Sequence, residues 1–544
     1  NSQFELSNNK EKFLKCIYKE TNENKQDKDV EIKIEALLEL RDRAQLTKKV
    51  TGDEKEKEIL KNNKLFIERV SEIHNIYGIL TEIYMKGYPK EILVKVNISK
   101  GVPTFNLEDN ESKNYNETIS KLKEVSDTLI KKQIKAYEEK ELIRFIYGRQ
   151  FNLLYNSFNG GKEDITPFLK FFTNNLFEKK IEKFDYRETG ETYDDLIDNC
   201  ENYLKQTLKL NNLTLNKIYE ETIIAKRQDK TEYRGVQLYT CDKLEKELFQ
   251  IYKQLTKHNP VAQSVLLCNK ETSIEEITAF LYRAILCKFN SCFVIGGVEL
   301  LEFEVQSVLL ETLDKLYTSN NNWKKMESCL IIMSTKVSSD IYKVLFSMKN
   351  KKMLTVPPET KNLNTGDDEN IKIITSNRSG VGKSTQIKMR IQNELKKKYV
   401  YFPLGGVFNR KSVIQRLKKL NLDDNSVIHL DLYDTFQIAL MMEFLFSILI
   451  MRLYGQGEDI FYLSKKIPII IEIPNGFIDF FAKFQILTLF KKEELNIEKL
   501  NDLIVPKEID SNVQIVANYL KAYKEKKLDK NNLYFEGISD QAMK

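Results

Sequence analysis

Apolar positions along this chain change their spacing partway through. From Glu31 to Pro89 they recur at steps of three and four: Leu37, Leu38, Leu40 and Ala44, then Leu65, Ile67, Val70, Ile73, Ile76 and Ile79. That spacing stacks them on one face of a helix. Glu91–Ser99 (E-I-L-V-K-V-N-I-S) alternates in part, as a strand does, and Gly101-Val-Pro103 ends it. Helical spacing resumes near Glu111 and runs to about Gln254, with breaks at Asn159-Gly160-Gly161 and Thr189-Gly190. Residues 1–30 are polar and charged and predict a frayed or loosely helical lead-in. No repeat period stands out, and nothing in this half demands catalysis.

After Pro260 short apolar runs alternate with amphipathic ones. Ser264–Cys268 predicts a strand and Ser273–Cys287 a helix, with Ser273 and Glu276 spaced as a capping box. Cys292–Leu301 holds a strand and its exit turn. Val305–Tyr317 then reads as a helix, Cys329–Ser334 as a strand, Asp340–Met348 as a helix and Met353–Val356 as a strand. Such alternation means a parallel sheet with helices on both faces. The turn after its first strand, N-K-E-T-S, has no glycine, so this unit lacks a phosphate-binding loop. Glu299 and Glu302 follow a strand and read as a solvated helix start.

Lys361–Asn370 is a polar linker. A second series follows: strand Ile371–Thr375, helix Lys383–Lys397, strand Tyr399–Leu404, helix Ser412–Lys419, strand Val427–Leu432, helix 436–453 and strand Ile467–Ile473. The expected division is a mostly helical part over 1–257, an α/β module without a phosphate loop over 258–360, and a second α/β module over 361–544 that is incomplete at its end. The fold class is α/β with a large helical N-terminal part.

Composition adds limits. The 544 residues suffice for several domains, and 42% hydrophobic with 30% charged residues is ordinary for a folded protein. A net charge of +6, from 85 basic against 79 acidic residues, gives no reason to expect a nucleic-acid partner. The seven cysteines are dispersed without a C-x-x-C, which suits reduced thiols and a cytoplasmic setting. With three histidines in all, the spacing suggests no zinc site. The longest apolar run, Phe436–Met451, carries Gln437 and Glu443 and falls short of the roughly 20 residues a membrane span needs. It predicts a buried helix and no transmembrane segment. A start at Asn1 without Met or signal peptide reads as a piece of a longer protein.

One stretch dictates chemistry. Asn377–Thr385 reads N-R-S-G-V-G-K-S-T, directly after the strand Ile371–Thr375 and opening a helix at Lys383. Backbone N–H groups across Asn377, Ser379, Gly380, Val381 and Gly382 can wrap a di- or triphosphate, with Thr385 closing the loop. Lys383 would reach the β/γ-phosphates and Ser384 would bind Mg²⁺. The full pattern asks for Gly where this chain has Asn377, a residue that still tolerates left-handed backbone. The third strand of the series, V-I-H-L-D-L, places Asp431 to hold Mg²⁺ but Leu432 where a water-activating acid belongs. The next strand ends in Glu472 and Asn475. Asn475 suits a γ-phosphate-sensing position, and Glu472 is the remaining candidate for a base. The residues predict a module that binds ATP–Mg²⁺ and hydrolyses it slowly or not at all, because general-base help is worth roughly 10²–10⁴ in rate.

The tandem of a loop-less unit and a G-V-G-K-S unit resembles mysterin, the family of giant RING-finger ubiquitin ligases with a dynein-like AAA+ core. The resemblance rests on I-R-F-I-Y-G-R-Q-F-N-L-L at Ile143–Leu154, P-F-L-K-F-F-T-N-N at Pro167–Asn175, segments of Val265–Tyr317 and Ser376–Phe490, and Y-L-K-A-Y-K-E-K-K-L-D at Tyr519–Asp529. It implies a linker leading into two AAA+ modules, the second a nucleotide holder. Neighbouring AAA modules of the same chain and the ubiquitin machinery would be its partners. It also implies that the working ATPase modules, RING finger and ubiquitin-transfer region lie beyond Lys544. Two other readings stay open: an independent P-loop NTPase or kinase with a helical N-terminal domain, and a non-enzymatic scaffold whose loop is vestigial.

Overall fold

The computed structural model describes residues 2–7, 14–18, 28–30, 33–46, 54–89, 91–97, 104–105, 114–158, 164–181, 192–225, 233–318, 326–347, 352–353, 370–376, 382–457, 459–474 and 477–495. The breaks expected at Asn159–Gly161 and Thr189-Gly190 fall outside them, as does everything after Leu495.

The first residues are not helical. Strands β1 (Ser2–Ser7), β2 (Leu14–Tyr18) and β3 (Lys28–Val30) join β4 (Leu93–Asn97) and β5 (Thr104–Phe105) in an antiparallel sheet ordered β3-β2-β1-β4-β5. Phe4 sits opposite both Cys16 and Val96. The pairing with β4 comes from far along the chain, so the local charge that suggested fraying did not decide the outcome. The helical expectation holds from α1 (Ile34–Leu46) and α2 (Glu54–Met85) through α3 (Tyr115–Glu139), α4 (Gln150–Phe158), α5 (Thr166–Phe172) and α6 (Tyr193–Leu210). Val70, Ile73, Ile76 and Leu80 of α2 and Leu122 and Leu129 of α3 are buried in one apolar cluster.

The first parallel sheet begins earlier than expected. β6 (Gly235–Thr240) and α8 (Leu244–Thr256, with α7 at Leu215–Tyr219) precede β7 (Val265–Leu267), α9 (Ile274–Ile285), β8 (Cys292–Gly296), α10 (Phe303–Thr318), β9 (Cys329–Ser334), α11 (Asp340–Ser347) and β10 (Lys352–Met353). The sheet order is β10-β6-β9-β8-β7. β6 is therefore its first strand, although it falls in the stretch expected to be helical up to 257. V-Q-L-Y-T is too short to be told from the helices around it by pattern alone. The relevant turn is Cys241-Asp242-Lys243, which also lacks a glycine. The capping box at α9 is half made: Ser273 accepts the Glu276 N–H at 3.1 Å, but the Glu276 carboxylate takes the Tyr147 hydroxyl at 3.0 Å.

The second parallel sheet contains β11 (Ile371–Thr375), β12 (Lys398–Gly406), β13 (Ser426–Thr435), β16 (Ile469–Glu472) and β17 (Lys491–Glu494). Its helices are α12 (Lys383–Met389), α13 (Arg410–Lys418), α14 (Ile438–Phe446) and α15 (Phe477–Lys483), and a hairpin of β14 (Leu453–Gln456) and β15 (Asp459–Tyr462) precedes β16. The order is β12-β13-β16-β11-β17. In both sheets the first strand lies between the fourth and the fifth, and the second is at the far edge. The two modules thus repeat one parallel α/β topology, with ligand-facing loops at the strand carboxyl ends.

The modules share an apolar cluster. It includes Val294, Ile331 and Met333 of the first sheet, Leu248, Phe249 and Tyr252 of α8, and Ile373, Leu430 and Ile471 of the second sheet. Arg410, 5% exposed in its side chain, bridges them with Nη1 on Glu271 and Nη2 on Glu443, each at 2.7 Å. Gly457 of the hairpin turn donates its N–H to Tyr147 at 3.1 Å. No helix among the described residues is long and apolar enough to cross a membrane, and the run at Phe436–Met451 is mostly buried from Met441 on.

Candidate functional site

The site is built on the carboxyl ends of β11, β13 and β16. Thr375 and Ser376 end β11 buried. Asn377, Ser379, Gly380 and Val381 lie outside the described residues, as does Asn475. Gly382 follows with φ of +76°, a rotation that L side chains resist, although a Cβ there would meet nothing within 4 Å. Backbone rotation, not space, calls for glycine. The chain then enters α12 at Lys383, with Ser384 and Thr385 exposed in its first turn.

Lys383 is 8% exposed, and its Nζ donates to the Ile473 carbonyl at 2.8 Å. Ser384 donates its hydroxyl to Glu472 Oε2 at 2.8 Å, and Lys383 Nζ is 3.9 Å from Glu472 Oε1. Parallel pairing makes this possible. Ile374 and Asp431 both sit opposite Glu472, so β16 carries its carboxylate between the loop strand and β13. Burial pushes the Glu472 carboxyl up, but His429, Ser384 and Lys383 outweigh it and hold it below the usual range.

Asp431 is buried on the same face. Its Oδ2 accepts hydroxyls from Tyr401 at 2.8 Å and Tyr433 at 2.6 Å. His429, two residues back on β13, points the same way. Its Nδ1 is 2.8 Å from the Tyr399 hydroxyl, and its Nε2 is 3.1 Å from Glu472 Oε2. Both neighbouring tyrosines titrate high: burial, Tyr433 and Asp431 raise Tyr401, while Asp431, partly offset by Tyr401, raises Tyr433. Leu432 faces the opposite side, fully buried in the shared core. The position expected to lack an acid therefore has no route to the site.

The structure thus brings together Lys383, Ser384, Asp431 and Glu472. Sequence reading missed His429, Tyr399, Tyr401 and Tyr433. The signal was an alternation, Y-V-Y on one strand and H-L-D-L-Y on the next, which becomes a cluster only once β12 and β13 are paired. Glu299 accepts the Thr335 N–H at 2.8 Å and ties two loops of the first module together. In that module the turn at Cys241-Asp242-Lys243 is filled from within. Glu247 Oε1 accepts the N–H groups of Asp242 at 3.1 Å and Lys243 at 2.9 Å.

Such an arrangement offers an amine and a hydroxyl for phosphate and metal, beside two buried carboxyl groups. No curated protein matches the chain. Residues 237–353 match a family model described as the RNF213 AAA domain, a span that begins inside β6 and ends with β10. The first α/β module is thereby similar to an AAA domain, and the match relates the chain to the mysterin/RNF213 family.

Proposed function

We propose that the second α/β module holds ATP–Mg²⁺ and hydrolyses it slowly or not at all. The observation that carries this reading is the placement of two donors. Lys383 Nζ and the Ser384 hydroxyl lie in the first turn of α12 and use acceptors of their own chain, the Ile473 carbonyl and Glu472. Phosphate oxygens and a hydrated metal offer the same two donors better acceptors. The loop N–H groups from Asn377 to Gly382, with Thr385 behind them, would cradle the phosphates, and Asn475 would sense the terminal one.

The donor set fits Mg²⁺, which takes oxygen ligands and keeps several waters. Ser384 and Asp431 would hold it, Asp431 through water. Bound nucleotide supplies the negative charge that Lys383 is placed to neutralise. Water activation is where this module falls short. Leu432 is in the core, and Glu472 already serves Ser384. Standing nucleotide would act as a stabilising ligand by mass action.

A second reading keeps Glu472 as a general base, favoured by its place at the carboxyl end of β16, where its neighbours hold the carboxyl below the usual range. The wider reading, supported by the family match, is a cytoplasmic segment of an AAA+ ubiquitin ligase working beside further AAA modules. Six buried free cysteines, Cys200, Cys241, Cys268, Cys287, Cys292 and Cys329, suit that compartment. This chain alone should transfer no ubiquitin. The decisive experiment purifies the chain, measures retained nucleotide and follows single-turnover hydrolysis of bound ATP. Retention without turnover supports the proposal, fast turnover supports the second reading, and an empty protein that never binds ATP leaves only a vestigial loop.

A further inference from the structure

We propose that His429, Asp431 and Glu472 form a binding site for a divalent transition metal of the Zn²⁺ class, which shares Asp431 with the proposed Mg²⁺ position but adds His429 and Glu472 as direct ligands. One ligand atom from each of the three lies within 4.8 Å of the other two, and all three residues are buried. Zn²⁺ binds nitrogen and carboxylate oxygen at about 2.0–2.2 Å, so small side-chain adjustments close the triangle around it. The ligands come from two adjacent paired strands, which hold their backbones in register.

The imidazole is the independent sign of a ligand. His429 is fully buried, and its Nε2 makes no hydrogen bond although Glu472 Oε2 is only 3.1 Å away. A buried polar nitrogen left without a hydrogen bond destabilises the fold. A metal on Nε2 removes that cost. The other ring nitrogen is engaged by the Tyr399 hydroxyl at 2.8 Å, the outer support that metal-bound histidines ordinarily have. The ion takes the Nε2 lone pair once Nδ1 is the donor in that bond and Nε2 carries no proton. Asp431 is supported in the same manner by Tyr401 and Tyr433.

The ring nitrogen decides the class of ion. Mg²⁺ and Ca²⁺ prefer all-oxygen sites, whereas imidazole with carboxylates suits Zn²⁺ and its first-row neighbours. Three protein ligands leave a fourth position open. Glu472 Oε2 also accepts the Ser384 hydroxyl at 2.8 Å, so an ion that takes this oxygen competes with Ser384 for it. Metal occupancy is thereby linked to the nucleotide-facing turn. Cysteine and histidine spacing gives no hint of such a site, because two of the three ligands are carboxylates and one lies on another strand.

The test uses the whole chain, stripped of metal and nucleotide, titrated with ZnCl₂ against a chromogenic chelator and separately with CoCl₂. The expected result is one equivalent of Zn²⁺, not displaced by millimolar Mg²⁺, and visible Co²⁺ bands from a nitrogen–oxygen site. His429→Gln, which fits the same space, should weaken binding at least tenfold and abolish the Co²⁺ bands. Tyr399→Phe leaves all ligands in place and should weaken binding about 10- to 100-fold, so it serves if His429→Gln does not fold. Lys383→Ala should keep the metal while losing ATP, which separates this proposal from the nucleotide reading. No binding, or Zn²⁺ binding equal in wild type and both variants, overturns it.

Discussion

Ser384 and Glu472 are 88 positions apart in sequence and 2.8 Å apart in space. Their hydrogen bond joins the first turn after the loop to the carboxyl end of the neighbouring strand. It is set by the parallel register of β11 and β16, in which Ile374 lies opposite Glu472. A carboxylate already engaged by the Ser384 hydroxyl is poorly placed to hold an attacking water at the same time. The relationship makes Glu472 first a positioning group for Ser384.

Replacing Glu472 by Gln preserves the acceptor but removes the charge. Single-turnover hydrolysis should change less than threefold, while the affinity for ATP–Mg²⁺ shifts modestly. A drop of 10²-fold or more, the size of lost general-base help, would assign Glu472 to water activation and refute its role as a positioning group.

Lys383→Ala removes the buried ammonium that now rests on the Ile473 carbonyl. In wild type, ATP–Mg²⁺ at one hundred times its dissociation constant should stabilise the fold by about 2.7 kcal/mol. Thermal melts of the variant should show no response to nucleotide. An equal upward shift in both proteins would place nucleotide binding elsewhere.

Arg410→Ala tests the buried Arg410–Glu443 pair within the second module, which also holds the guanidinium against Glu271 of the first. Its partner Glu443 is 15% exposed and accepts from Nη2 through both oxygens. Burial already raises the Glu443 carboxyl to about 7, and without Arg410 it keeps, among the described residues, only the Asn269 amide as a partner, so the loss should be about 3 kcal/mol, the low end for a broken buried pair. Glu271 is 63% exposed and should contribute little of that. The double replacement Arg410→Met with Glu443→Leu should recover most of the loss in chemical denaturation.

Glu276 gives the fold a pH dependence. Burial raises its carboxyl from 4.5 to about 7, partly offset by the Tyr147 hydroxyl. The native state therefore binds more protons than the unfolded chain between pH 4.5 and about 7. Across that window this group's contribution falls as pH rises. Glu276→Gln should flatten the decline and raise the denaturation midpoint at pH 8 relative to wild type. A slope unchanged by the substitution means the proton is taken up elsewhere.

Much of this architecture was readable where apolar spacing is long or bounded. α2 and α3 followed from three- and four-residue steps, and β8, β9, β11 and β13 from short apolar runs ahead of helices. What failed was short and non-local. β1–β3 are short strands in a charged stretch, and their sheet depends on partners as distant as Val94 and Val96. β6 is six residues between stretches that read as helix. Within the site, Lys383, Ser384 and Asp431 were visible because a loop motif and a strand end mark them. His429 and the tyrosines were not, since alternation along one strand says nothing about which strand lies beside it.

The carboxylate of Glu247, seated on the N–H groups of Asp242 and Lys243 in the first module, has a consequence for how the two halves report on their surroundings. That module carries its anion as part of its own covalent chain. Its turn is filled whether or not nucleotide is present, whereas under the proposed function occupancy of the second would rise and fall with free nucleotide.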